Sequence, residues 1–319
     1  MMGRCLVIAS LVVAVLGFAV AVVLAAGCDT SPLFPDMGPA ADLEPAPPPD
    51  DLTIALPTPV DLGYDAARPP PDAALPGRVL VWHDEFDGPA GSPPDPNNWD
   101  FDVGGSGWGN AQLEYTTARP ENVSLDGNGH LAITARAEPY MGRSYTSGRI
   151  ESLAHFTQAF GRFEARMQLT TGQGLWPAFW LLGNDVGSVG WPQCGEIDIM
   201  ENRGQEPTIV NGTVHGPGYS GAGGITAKQL VPGAPLADGF HIYAIEWVAN
   251  QIVFSVDGLQ YFTITPQQLP ANTQWVFDHP FGVLFDVAVG GTFVGAPDAT
   301  TKFPQTLLVD YVRVYEAKP

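Results

Sequence analysis

Short runs in which apolar and polar positions alternate recur from about residue 79 onward, and long stretches of helical periodicity are missing. Residues 161–169 show the pattern well. Phe163, Ala165, Met167 and Leu169 fall on one side and Glu164, Arg166 and Gln168 on the other, the period of two expected of a half-buried strand. Similar reasoning predicts strands over 130–135, 179–182, 195–201, 208–215, 241–248, 251–256, 282–289 and 307–315, separated by Gly, Pro, Asn and Asp turns. Many short strands so punctuated predict an all-β fold, an antiparallel sandwich running from near Arg78 to about Glu316. A span of roughly 240 residues suits one such domain.

The N-terminal part reads differently. Residues 5–27 carry no charge and follow Arg4, as a signal peptide or a membrane anchor does. The segment ends Leu24-Ala25-Ala26-Gly27-Cys28, which resembles a bacterial lipoprotein signal with Cys28 as the lipidated residue, although Ala25 stands where Leu is usual. An uncleaved transmembrane helix is the alternative, and both place the remainder outside the cytoplasm. From Asp29 to Gly77 there are 13 prolines and nine acids against the single Arg68. That composition buries no core and predicts a disordered, extended tether. The expected organisation is therefore a signal peptide at 1–27, a Pro/Ala/Asp-rich linker at 28–77 and a folded domain at 78–319.

A formal net charge of −20 argues against nucleic acid as a partner and favours a neutral substrate. Only Cys194, of three cysteines, lies in the folded part, so no internal disulfide is expected there and the thiol reads as buried and inert.

The chemistry concentrates in Gly195-Glu196-Ile197-Asp198-Ile199-Met200-Glu201-Asn202. On a strand Glu196 and Asp198 share a face, whereas strict alternation turns Glu201 away. A β-bulge, one extra residue, is needed to bring Glu201 back. Three acids on one face repel one another. An acidic sheet edge or a cation site is the bland reading, and glycoside hydrolysis by paired carboxylates is the functional one.

Neighbouring stretches favour the latter. Gly174-Leu-Trp-Pro-Ala-Phe-Trp180, Trp191-Pro192, the acidic stretch, Thr213-Val-His215, Phe240–Trp247, Ala288-Val-Gly-Gly291 and Asp310–Tyr315 follow in order, after Trp82–Phe86 and Gly107-Trp-Gly-Asn110. Together they resemble glycoside hydrolase family 16 over nearly all of 79–315. The two residues between Asp198 and Glu201 are similar to the spacing in its laminarinases, agarases and carrageenases.

The resemblance implies a concanavalin A-like β-jelly-roll sandwich and retaining endo-hydrolysis, with β-1,3-glucan as the expected substrate and the protein a monomer. It implies that Glu196 is the nucleophile, Glu201 the acid/base and Asp198 the helper between them, with no cofactor for catalysis. Trp176, Trp180 and Trp191 become stacking or cleft-wall candidates, since sugar C–H faces lie on aromatic rings. Asn110, Arg149 and His215 become polar cleft candidates, while Trp82, Trp99, Trp247 and Trp275 are left as core or unassigned. Glu85, the Gly129 carbonyl and Asp310 match the positions of a structural calcium. Asp286 stands where the family commonly has Asn, which bears on one sugar subsite. Mixed-linkage glucan, agarose and carrageenan remain alternative substrates; the absence of an evident basic pocket disfavours a sulfated one. A catalytically silent glucan-binding protein is the rival from another class, and the intact acids weigh against it.

Overall fold

The computed structural model describes Arg68 and residues 75–318; the leader and most of the tether expected at 1–77 lie outside the described residues. Seventeen strands account for most of the regular structure: β1 Arg78–Asp84, β2 Asp100–Phe101, β3 Glu114–Thr116, β4 Val123–Leu125, β5 Leu131–Tyr140, β6 Arg143–Ser147, β7 Arg149–Glu151, β8 Gly161–Gln168 and β9 Leu175–Gly183, then β10 Glu196–Glu201, β11 Ile209–His215, β12 Ile225–Leu230, β13 His241–Val248, β14 Gln251–Val256, β15 Leu259–Ile264, β16 Phe281–Val289 and β17 Gln305–Ala317. Every strand predicted from alternation is present. The short β2, β3, β4 and β7 escape a period argument because two or three residues cannot display one.

Two sheets face each other. One runs β12-β11-β10-β9-β16-β7-β2, and the other runs β15-β14-β13-β8-β17-β5-β6-β3, with β1 on β17 and β4 on β5. Pairing is antiparallel except between β3 and β6. The core between the sheets is made by alternate residues of facing strands. Phe163, Ala165 and Met167 of β8, Phe179 and Leu181 of β9, and Val283, Phe285 and Val287 of β16 are all fully buried. Phe179 and Phe285 stack at 4.9 Å between centroids, a contact that adds to their area burial. Trp99 and Trp247 belong to this core, and Trp82 and Trp275 pack against it.

The polar side of β8 is also covered. Glu164 and Arg166 are buried, and ion pairs hold them: Arg162 Nε to Glu164 at 2.6 Å, and Arg166 Nη1 to Asp310 Oδ2 at 2.7 Å. Charges withdrawn from water in this way need partners of this kind.

The strand order leaves β10 well inside the seven-stranded sheet, between β9 and β11. Its outer face is therefore lined on both sides, and that face carries the candidate site.

Candidate active site

The register of β10 shows how three acids reach one face. Glu196 pairs with His215 and Asp198 with Thr213, but Glu201 pairs with Asn211. Three steps along β10 thus match two along β11, and the same slip appears against β9, where Asp198 faces Trp180 and Glu201 faces Ala178. This is the required bulge. Ile199 and Met200 both turn into the core, so the extra residue is absorbed on the apolar side. At the strand entrance Gly195 has φ +73°, and a Cβ there would stand 2.9 Å from the Phe281 ring. Only glycine fits that turn without strain.

Each acid has a different set of partners. Glu201 accepts from Trp176 Nε1 at 3.0 Å and from Thr213 Oγ1 at 3.2 Å. Thr213 is in turn 3.0 Å from the Thr226 hydroxyl. His215 Nε2 lies 3.2 Å from Asp198 Oδ2 and 3.8 Å from Glu196 Oε1. The backbone before β12 crosses close above that imidazole, since a Cβ on Gly224 would come within 2.3 Å of it. Burial raises all three carboxyl pKa values. It pushes Glu196 to about 8, with the charge of Asp198 adding to it. It pushes Glu201 to about 7 against the pull of His215 and the two donors. Asp198 is driven well above the ordinary range by burial and by the charge of Glu201. The face therefore holds protons at neutral pH that free carboxylates would have lost.

A cleft of about 680 Å³ opens over these acids. Asn110, Arg149, Trp176, Trp180, Trp191 and His215, all singled out from sequence, line it. Their environments differ. Trp191 is 47% exposed and its ring centroid is 6.1 Å from that of His215, so it offers a free platform. Trp176 packs on Phe293 and also bonds the acid Glu201, a role that stacking alone does not suggest. Trp180 is only 8% exposed and packs among Ala178, Leu182, Cys194 and Leu284. Its ring carries the Arg149 guanidinium 4.7 Å from its centroid, so it supports the cleft floor rather than offering an open sugar platform. Arg149 is fixed by Asp102 at 2.7 Å and also covers Trp108.

Asp286 does line the cleft. Its Oδ1 accepts from Trp180 Nε1 at 2.8 Å, and burial raises its pKa to about 6 against the charge of Arg149. A fourth acid thus shares the catalytic face. Sequence reasoning passed over Gln112, Asn211, Thr213, Thr226, Arg203, Lys228 and Phe293, which also line the cleft. Of these, Thr213 and Asn211 had a signal: they alternate with His215 on β11, and Asn211 Nδ2 bonds the Glu201 carbonyl at 3.1 Å. Besides Arg149, which the sequence already pointed to, Arg203 and Lys228 bring further bases to the cleft. Arg203 and Lys228 each stand 3.6 Å from a Glu206 oxygen, so both have an acid partner.

Cys194 is buried and free, and burial raises its pKa to about 11, which keeps it a thiol. Ligand atoms of Glu196, Asp198 and His215 lie within 4.8 Å of one another, which is the approach of the His215 imidazole to the two acids described above. Glu85, Gly129 and Asp310, the expected calcium positions, belong to the other sheet and its turns. Both carboxylates there are engaged by guanidinium groups, Arg313 on Glu85 and Arg166 on Asp310, with Arg68 between them. With Arg68 in place among those oxygens, the arrangement does not fit a resident calcium ion.

Comparison with known proteins agrees with this geometry. The family model for glycosyl hydrolases family 16 matches residues 110–312. A beta-glucanase of Rhodothermus marinus is 44% identical over 244 residues, covering 74% of this chain and 84% of the relative. The glucan endo-1,3-beta-glucosidase A1 of Niallia circulans is 35% identical over 77% of this chain, which spans 39% of that longer protein. The catalytic domain of an endo-1,3-beta-glucanase (laminarinase) from Thermotoga petrophila superposes with a TM-score of 0.72 at 44% identity, over 76% of this chain and 99% of that one.

Proposed function

Because the chain belongs to glycosyl hydrolase family 16, we propose that it is a retaining, endo-acting glycoside hydrolase that cleaves internal β-1,3-glucosidic bonds of a laminarin-like glucan. The observation that carries this is the bulge in β10, which returns Glu201 to the face of Glu196 and Asp198 at the floor of an open, aromatic-walled cleft. An open cleft admits an internal segment of a polymer, and rings such as Trp191 suit the flat C–H faces of glucose.

In the first step the Glu196 carboxylate attacks the anomeric carbon while the Glu201 proton passes to the departing glycosidic oxygen. Glu201, now anionic, takes a proton from water as that water attacks the same carbon from the other side of the glycosyl–enzyme bond. Glu196 leaves and the anomeric configuration is restored. Asp198 sits between them. Asp198, itself held well above the ordinary carboxyl range, takes the proton of Glu196 as that carboxylate attacks, and Trp176 and Thr213 hold the Glu201 carboxyl in place. The two glutamates supply nucleophile, acid and base, so the steps draw on no cofactor.

The names of the relatives in Rhodothermus, Niallia and Thermotoga support a β-1,3-glucan over a galactan. The pairing of Arg203 and Lys228 with Glu206 supports a neutral polymer over a sulfated one. Incubation with laminarin, lichenan, agarose and carrageenan, with linkage analysis of the products and early proton NMR, tests the reading. β-Configured oligosaccharides should appear first, from laminarin above all. Binding of laminarin with no product would favour the silent receptor instead.

The same proposal holds the enzyme outside the cytoplasm, anchored by a lipid on Cys28. Its support is the uncharged segment 5–27 ending at that cysteine. A Cys28→Ser chain should leave the membrane fraction, and full retention there would point to an uncleaved helix.

A further inference from the structure

We propose that the Arg68 guanidinium fills a cation pocket at the seam of the first and last strands, so that the pocket holds either this arginine or a divalent cation. The seam is the pairing of β1 with β17, distant in sequence from the cleft motif and absent from the cleft lining.

The pocket is built from oxygen atoms. Arg68 Nε donates to Glu85 Oε2 at 3.1 Å, and Nη2 donates to the Glu85 carbonyl and, at 3.0 Å, to the Asp310 carbonyl. Asp310 Oδ1 lies 3.4 Å from Nε and Asp87 Oδ1 3.7 Å from Nη1. Gly129 closes one wall, since a Cβ there would stand 3.0 Å from Nη1. Three carboxylates and two carbonyls thus surround one guanidinium, which is also the hard-oxygen set a divalent cation takes. Glu85 and Asp310 are buried at the seam, with 10% and 4% of their side chains exposed.

The same two acids are also held from within the sandwich. Arg313 grips Glu85 with two bonds of 2.8 Å, and Arg166 holds Asp310 Oδ2 at 2.7 Å. These two arginines are part of the sandwich; Arg68 comes from the segment ahead of it. Arg68 therefore ties that segment to a residue 242 positions away. A divalent ion placed among the same oxygens would meet Arg68 at contact distance as a like charge, so the two occupants exclude each other. The planar fork of arginine suits this role, because it satisfies carboxylate and carbonyl oxygens together. The segment read from composition as a bare tether therefore contributes Arg68 to the folded body, as well as the Gly77 carbonyl that accepts from the Lys318 N–H.

The test compares thermal unfolding of the full chain with that of Arg68→Ala, each in EDTA and in millimolar calcium, alongside laminarin turnover at room temperature. The wild-type midpoint should be the same in both buffers. That of Arg68→Ala should fall by roughly 5 °C in EDTA and recover in calcium, with turnover unchanged throughout. Glu85→Gln added to Arg68→Ala should abolish the recovery. Calcium stabilisation of the wild type equal to that of the variant would show a resident ion beside Arg68 and overturn the proposal. So would an Arg68→Ala midpoint unchanged in EDTA, or a lowered one that calcium does not restore. Should Arg68→Ala not accumulate, Arg68→Lys, which keeps the charge and loses the fork, is read by the same comparison.

Discussion

Trp176 touches the proposed acid directly, and its hydrogen bond sets part of that acid's affinity for a proton. A donor to a carboxylate stabilises the anion, so Trp176 pulls the Glu201 pKa down against the rise that burial causes. Trp176→Phe keeps an aromatic ring and loses the donor. The alkaline limb of kcat/KM, set near pH 7 by an acid that must be protonated, should move to higher pH in this variant, and a limb that stays put would remove Trp176 from the acid's control. The two glutamates divide the labour in a way azide can read. Glu201→Ala should lose about 10²–10⁴ in rate on glucan, far less on an activated aryl glycoside, and azide should then give a β-glycosyl azide. Glu196→Ala should give only the α-azide. Swapped products would exchange the two assignments.

At the scale of the element, the phase of β10 decides whether there is a site. Deleting Met200 restores strict alternation and still leaves Glu201 on the face of Glu196 and Asp198. That variant should fold and keep measurable turnover. Inserting one alanine after Ile199 lets a regular strand carry Glu201 on the acid face, but one residue pair further along, roughly 7 Å past its present place opposite Asn211 and out of reach of Glu196. Turnover should then vanish, and appreciable hydrolysis by the insertion variant would mean that the bulge does not set the geometry. The neighbouring strands matter for the same reason. Thr213 and His215 reach the acids only because β11 is in register with β10, and Trp180 and Asp286 meet because β9 lies beside β16.

For the whole molecule, a face of buried acids costs stability in a pH-dependent way. The folded pKa of Glu196 is raised to about 8 and that of Glu201 to about 7, above unfolded values of about 4.3. The folded state then binds protons that the unfolded chain releases, so this contribution is complete below about pH 4 and is lost as pH rises through 7 to 8. Glu196→Gln should unfold like the wild type near pH 4 and be more stable by about 1–3 kcal/mol at pH 8. Denaturant titrations at the two pH values check this; an equal effect at both would mean that Glu196 titrates normally. The surplus of acids elsewhere, with a net charge of −20, adds self-repulsion at high pH in the same direction, and the wild type serves as the control for it.

The chain's own pattern determined the strands, because a period of two over six or more residues is a local property. It also determined the acidic motif and the need for a bulge, since parity alone forbids Glu196, Asp198 and Glu201 from sharing a face of a regular strand. Tertiary structure decided what parity cannot reach. Which side absorbs the extra residue depended on a core able to take both Ile199 and Met200. Whether Trp180 is a platform or a support depended on Arg149 arriving from β7 to cover it, and the donors that hold Glu201 depended on β9 and β11 flanking β10. Arg68 is the clearest case. In sequence it is a lone cation in a proline-rich acidic stretch, and nothing local distinguishes it from solvated charge. Its partners are Glu85 and Asp310, which come together only when the first and last strands pair, so its place in the fold is a long-range fact that a local pattern does not contain.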